Sequence, residues 1–197
     1  MDEAETFQTL ITKVRAGDEA AANELVRRYE PMVRRAARVR LTDPRLGRVL
    51  DSMDICQSVM ASFFVRAALG QYDLNTPDQL MRLLATMARN KLANQAHGQR
   101  AQRRDARRVD PGGLERGDIA ARDATPSRQV AARELLDAAR QRLGADELRL
   151  IERRQDGQDW AAIAAAEGGT PEALRKRLSR AVDRVAHELG LDQEDDV

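Results

Sequence analysis

Residues 159–185 read DWAAIAAAEGGTPEALRKRLSRAVDRV, a helix, a tight turn and a second helix in which each junction has a chemical reason. Asp159 is placed to cap the first helix with its carboxylate. Gly168 and Gly169 give the turn a permissive backbone, Thr170 caps again, and Pro171 opens the second helix where a missing N–H costs nothing. Ala164 is small where the two helices must cross, and Ile163, Leu174, Leu178, Ala181, Val182 and Val185 fall on the buried side. The other side of the second helix carries Arg175, Lys176, Ser179 and Arg180, whose donors suit base edges and phosphates. This is how a recognition helix presents itself to a major groove. A helical hairpin with a merely solvated basic face is the plainer alternative, and the agreement of caps, glycines and crossing residue weighs against it.

Outward from this segment, helical periodicity appears almost everywhere and alternating β-branched runs are absent, which predicts an all-α protein. A first helix is expected from about Ala4 to Ala16, stopping at Gly17. Asp18 caps a second, in which Pro31 predicts a kink or a restart. Asp51 or Ser52 starts a third that ends at Gly70. Thr76-Pro77-Asp78-Gln79 opens a fourth, with Thr as cap and Gln at the capping-box position. Its apolar stripe is Leu80, Leu83, Leu84, Met87, Ala88 and Leu92.

Large apolar residues then thin out, and Pro111-Gly112-Gly113 breaks any helix. Four more helices are expected near 126–143, 145–156, 159–166 and 171–189. The organisation predicted is therefore two small helical domains, 1–97 and 126–190, joined by a flexible linker over 98–125 and followed by an acidic tail at 191–197.

With 197 residues there is room for one ordinary domain or two small ones. Thirty-two alanines and only 3% aromatic residues fit small helical units. The net charge of +1 announces no nucleic acid, so that signal has to be local. It is: eight arginines lie between Arg27 and Arg48 against Glu30 and Asp43, and eight basic residues lie from Arg82 to Arg108 against Asp105 alone. Only Lys13, Lys91 and Lys176 of the 33 basic residues are lysine, and arginine's planar fork suits phosphate.

Cys56 is the single cysteine, so neither an internal disulfide nor a cysteine-based zinc cage is available, and it reads as packed rather than reactive. No apolar run long enough to span a membrane and no export leader is present, which predicts a cytoplasmic protein. His97 and His187 lie far apart, and no HExxH, P-loop or GxGxxG occurs. Asp51 and Asp54 fit capping and the helix dipole better than a catalytic pair. No enzyme, cofactor, metal site or small-molecule substrate is expected.

Three stretches, the helix-turn-helix segment among them, resemble the bacterial RNA polymerase sigma factors, specifically the small extracytoplasmic-function (ECF) group. Asp54-Ile55-Cys56-Gln57-Ser58-Val59, with Phe63 and Phe64, is similar to the family's D-[ILV]-x-Q-x-x-F helix, which packs on the clamp helices of the polymerase largest subunit. The resemblance makes Asp54, Ile55, Gln57 and Ser58 polymerase-binding residues. Leu83–Leu92 resembles the helix W-L-x-x-I-A-R-N-x-L, which with the preceding loop opens and reads the minus-ten element. It implies DNA contacts from Tyr72, Asp73, Asn75, Arg82, Arg89, Asn90, Lys91, Asn94, Arg100 and Arg103, with a flipped base held by the loop. Tyr72 offers a stacking face worth about 1–3 kcal/mol per base, and Asn75 an amide.

Residues 159–181 resemble, without a gap, the module that reads the minus-thirty-five element. That carries Thr170, Glu172, Arg175, Lys176, Arg177, Ser179, Arg180 and Arg184 into the DNA-binding set, with Arg177, Arg180 and Arg184 turned to phosphates or to the polymerase flap. The sequence departs from the family at Leu83 or Leu84, where Trp is common, at Met87 for Ile, and at Ala166-Glu167-Gly168-Gly169 for L-G-[IV]. The partners implied are core RNA polymerase, promoter DNA and, as an optional third, an anti-sigma factor or other inhibitory protein. Linkage of two weak contacts gives each a high effective concentration for the other. The competing reading is a polymerase-independent helix-turn-helix regulator that binds DNA as a dimer.

Overall fold

The computed structural model describes residues 3–40, 51–105 and 126–191. All the regular structure described is helical: α1 (Glu3–Arg15), α2 (Glu19–Arg40), α3 (Ser52–Ala68), α4 (Pro77–Asp105), α5 (Pro126–Gln141), α6 (Ala145–Gln155), α7 (Trp160–Glu167) and α8 (Pro171–Glu188).

The caps form as the side-chain chemistry requires. Asp18 accepts from the Ala21 N–H at 2.7 Å, Asp51 from Met53 at 3.1 Å, Asp159 from Ala162 at 2.7 Å and Thr170 from Ala173 at 3.2 Å. At α4, Thr76 accepts from the Gln79 N–H at 3.3 Å, but Gln79 Oε1 takes the Asn75 N–H at 2.7 Å. The expected capping box is thus shifted back by one residue and ties down the preceding loop. Gly168 and Gly169 both lie at positive φ, 81° and 88°, where a Cβ would be strained.

Two expectations change. α2 runs unbroken through Pro31, which is exposed, so the carbonyl freed four residues earlier lies on the solvent side and the helix need not restart. α4 continues past Gly98 to Asp105, because the polar arginine- and glutamine-rich stretch there is still good helix former. The linker reading for 106–125 and the tail from 192 lie outside the described residues.

Helices α1–α4 enclose one core, with Phe7, Leu25, Val33, Phe63, Leu80 and Leu84 at or below 1% exposure. α2 packs on α3 and α4, and α1 on α2 and α3. Helices α5–α8 enclose a second core around Leu150, Ile163, Leu178, Val182 and Val185. α3 belongs to both. Its N-terminal turns fill the first core with Ile55, Val59 and Phe63, while Val65 and the following Leu69 insert into the second. Burial of this kind is worth about 1.5–3 kcal/mol per large apolar side chain.

Cys56 is packed in the first core at 2% exposure. Burial pushes its thiol up to about 11, with Glu30 adding to the shift and Arg34 opposing it. In the folded chain it should alkylate far more slowly at pH 8 than in denaturant, measured by thiol labelling and mass spectrometry; equal rates would place the thiol at the surface. A raised thiol favours the folded state only while it stays protonated. This contribution is full below the unfolded thiol range and is lost as pH rises through 9 toward 11.

Candidate nucleic-acid interface

The second helix of the helix-turn-helix, α8, buries the side anticipated from its spacing: Leu174, Leu178, Ala181, Val182 and Val185 are all buried, as are Ile163 and Ala164 of α7. Arg175, Lys176, Arg177, Arg180 and Arg184 are exposed. Within this row the roles divide. Arg175 and Arg180 project from the face, and Lys176 is held only by an exposed ion pair with Glu172 at 3.3 Å, which is worth little in water. Arg177 instead reaches back to Asp146 of α6 at 2.6 Å, and Arg184 to Glu147 at 3.2 Å. The Arg177 hydrogen bond, followed by the charge of Arg149, holds the Asp146 carboxyl below its usual range. These two arginines therefore brace α8 on α6 in this conformation, and the Thr170 hydroxyl serves as the α8 cap.

In the first half, the loop before α4 is not an open platform. The Tyr72 ring stacks on Phe63, centroids 6.0 Å apart and planes 6° from parallel, and its hydroxyl donates to Met87 Sδ at 3.9 Å. Its carbonyl accepts from Arg15. Asn75 Oδ1 accepts from Gln8 at 3.2 Å. Both oxygens of Asp73 are taken by the other half: Arg154 bonds Oδ1, and Trp160 Nε1 donates to Oδ2 at 3.1 Å. Along α4, Arg82, Thr86 and Arg89 share an exposed face, tied by an Arg89–Thr86 bond of 2.8 Å. Asn90, Lys91 and Asn94 turn toward a cleft of about 710 Å³ between the halves, walled on the far side by Asp183 and His187. The side chains of Arg100 and Arg103 lie outside the described residues.

On α3, Asp54 is exposed and Gln57 and Ser58 are half-buried at i+3 and i+4, so these three share one face. Ile55 does not join them. It is completely buried in the first core and corrects the expectation of a contact residue: it holds the helix rather than touching a partner. Arg66, Arg154 and Trp160 are the functional candidates that motif reading passed over. The signal for Arg66 was an arginine set inside the apolar run FFVRAALG, where burial demands a partner.

Among the described residues no group of three or more histidine, cysteine or acidic side chains is arranged to hold a metal ion, and no helix is long and apolar enough to cross a membrane. The family model for ECF sigma factors matches residues 4–189, from α1 to the end of α8. The chain belongs to the ECF sigma factor family. A search of curated proteins finds no match. ECF sigma factors are non-enzymatic transcription initiation factors with a two-domain helical fold, and the eight helices described here are of that class.

Proposed function

We propose that this chain binds core RNA polymerase in the cytoplasm and directs it to promoters. The observation that carries the proposal is the exposed Arg175, Lys176 and Arg180 row on a capped second helix, in a chain matched by the ECF model across both halves. In this reading α8 reads the minus-thirty-five element, with Arg175, Lys176 and Ser179 toward bases and Arg180 toward phosphate. The loop 71–75 and the Arg82–Arg89 face of α4 open the minus-ten element, which a duplex gives up most readily at flexible steps. Asp54, Gln57 and Ser58 present polar contacts to the polymerase.

The direct test is transcription reconstituted from purified chain and core polymerase on genomic DNA, with start sites mapped. Discrete starts sharing two spaced elements are expected. A chain that ignores core polymerase and shifts a palindromic duplex by itself would instead establish the dimeric regulator. An anti-sigma or other inhibitory partner fits this reading but is not required by it.

For the polymerase face, Asp54→Ala with Gln57→Ala should weaken capture of core polymerase by roughly tenfold or more, read by pull-down or fluorescence titration, since each polar interface group lost costs on the order of 1 kcal/mol. Helicity should not change, because Asp54 is exposed and Gln57 half-buried. Unchanged affinity would remove α3 from the interface.

A further inference from the structure

The loop before α4 is held in place by α1, the helix to which no part of the proposed function falls. Gln8 and Arg15 lie two helical turns apart on α1 and so share one face. Arg15 donates to the Tyr72 carbonyl. Gln8 Nε2 lies 3.4 Å from the Leu74 carbonyl oxygen, 3.1 Å from that of Asn75 and 3.2 Å from Asn75 Oδ1. Both sides of this contact are anchored. Phe7, Ile11 and Val14 root α1 in the first core, while in the loop Leu74 is buried, Tyr72 stacks on Phe63 and Gln79 Oε1 accepts the Asn75 N–H at 2.7 Å.

These contacts fix the direction of two side-chain amides. Backbone carbonyls only accept, so Gln8 has to aim its NH2 group at Leu74 and Asn75. One NH2 group gains nothing by facing another. Asn75 therefore turns its oxygen to α1 and its own NH2 outward, where that nitrogen has no partner among the described residues.

We propose that Gln8 makes Asn75 a donor-only reader, so that the base held by this loop is one bearing a ring carbonyl (cytosine, guanine or thymine) and adenine is rejected. The inference deepens the proposed function and rests on its assignment of loop 71–75 to the minus-ten element. An amide pairs with adenine by giving a hydrogen to a ring nitrogen while taking one from N6, which needs oxygen and nitrogen side by side. With its oxygen held by Gln8, Asn75 gives but does not take, and adenine N6 is left facing a donor. A ring carbonyl accepts from the outward NH2 without that conflict. Gln8 is thus a positioning residue: it touches Asn75 and acts on the base through it.

The test uses the full chain with core polymerase and a template pool in which each position of the minus-ten element carries all four bases in turn, read as transcript yield per base. The parent should show a position where adenine yields about tenfold less transcript than the best other base, the effect of one unmatched contact. Gln8→Ala, an exposed change to a strong helix former, frees the Asn75 amide to turn over and should cut that discrimination to about threefold or less, at that position alone. Asn75→Asp keeps the bond from Gln8 but presents an acceptor outward, so preference at the same position should swing toward adenine and cytosine, which carry amino groups. A residue that merely shaped the loop would lower the yield for all four bases alike.

A parent that uses adenine as well as the other bases at every position, a discrimination that Gln8→Ala leaves at full strength, or an Asn75→Asp profile parallel to the parent's would each overturn the donor-only reading, while discrete starts keep the sigma assignment standing. A chain that starts no transcripts with core polymerase would overturn the sigma assignment and this reading with it, so the two failures are separable.

Discussion

Replacing Arg175 and Lys176 together by alanine should abolish start-site selection at promoters that depend on the upstream element and leave capture of core polymerase intact. Both side chains are exposed on α8, and among the described residues the one ion pair either makes is the exposed one between Lys176 and Glu172. Their removal therefore costs the fold within about 0.5 kcal/mol. On DNA the ledger differs, since each well-placed base contact is worth about 1–3 kcal/mol of discrimination. Losing two such contacts costs about 2 kcal/mol at the least, or roughly thirtyfold in occupancy. The measurement is run-off transcription beside a polymerase pull-down with the same preparation. Full activity on the element-dependent promoter would remove α8 from DNA reading. Loss of both activities would mean that the helix contacts polymerase instead. Arg177→Ala separates reading from bracing: its pair with Asp146 is half exposed, so the stability of the second half should change only slightly, and a larger fall in transcription would come from a lost contact to DNA or polymerase.

The largest effect on stability is expected at Phe63. Its side chain is fully buried, meets Phe64 edge-on at a 5.6 Å centroid distance, and supports the Tyr72 ring. Phe63→Ala removes the transfer energy and leaves a cavity, together about 3–5 kcal/mol. Against a total of roughly 5–15 kcal/mol for a folded domain, that is a large fraction. Denaturant unfolding followed by circular dichroism should show the midpoint falling steeply, with Phe63→Leu intermediate. A midpoint unmoved by Phe63→Ala would mean that the first core is not organised around α3. The same substitution removes the ring on which Tyr72 stacks, so the loop loses part of its footing and minus-ten opening should weaken even where the chain remains folded.

The helix-turn-helix was legible because its determinants are local. Asp159, Thr170 and Pro171 act on backbone groups within a turn of themselves, and the apolar spacing of α8 needs only to know that one side faces protein. α3 shows where such reasoning stops. Its apolar residues surround the helix, which signals burial on all sides but names no partner, and the structure divides them between two cores. Tyr72 and Asp73 were visible as loop residues of the right chemistry, yet their contacts come from Phe63 nearby and from Arg154 and Trp160 far along the chain, which no spacing rule links. Ile55 illustrates the opposite error: a motif groups it with Asp54 and Gln57, while helical geometry turns it inward. The restart allowed for at Pro31 and the end of α4 near Gly98 do not occur, because a local breaker counts for less inside a long helix whose flanking residues are good helix formers.

The shared α3 gives the joint between the halves a thermal character. Val65 and Leu69 are lodged among the side chains of α5–α8, so separation wets greasy surface as well as breaking ionic bonds. Water's penalty for that surface shrinks as temperature drops, and the buried Arg66 and Arg154 pairs, whose desolvation costs more in the cold, do not make up the loss. Cooling therefore slackens the joint without dissolving it, so the two halves should separate more readily in the cold than in the warm.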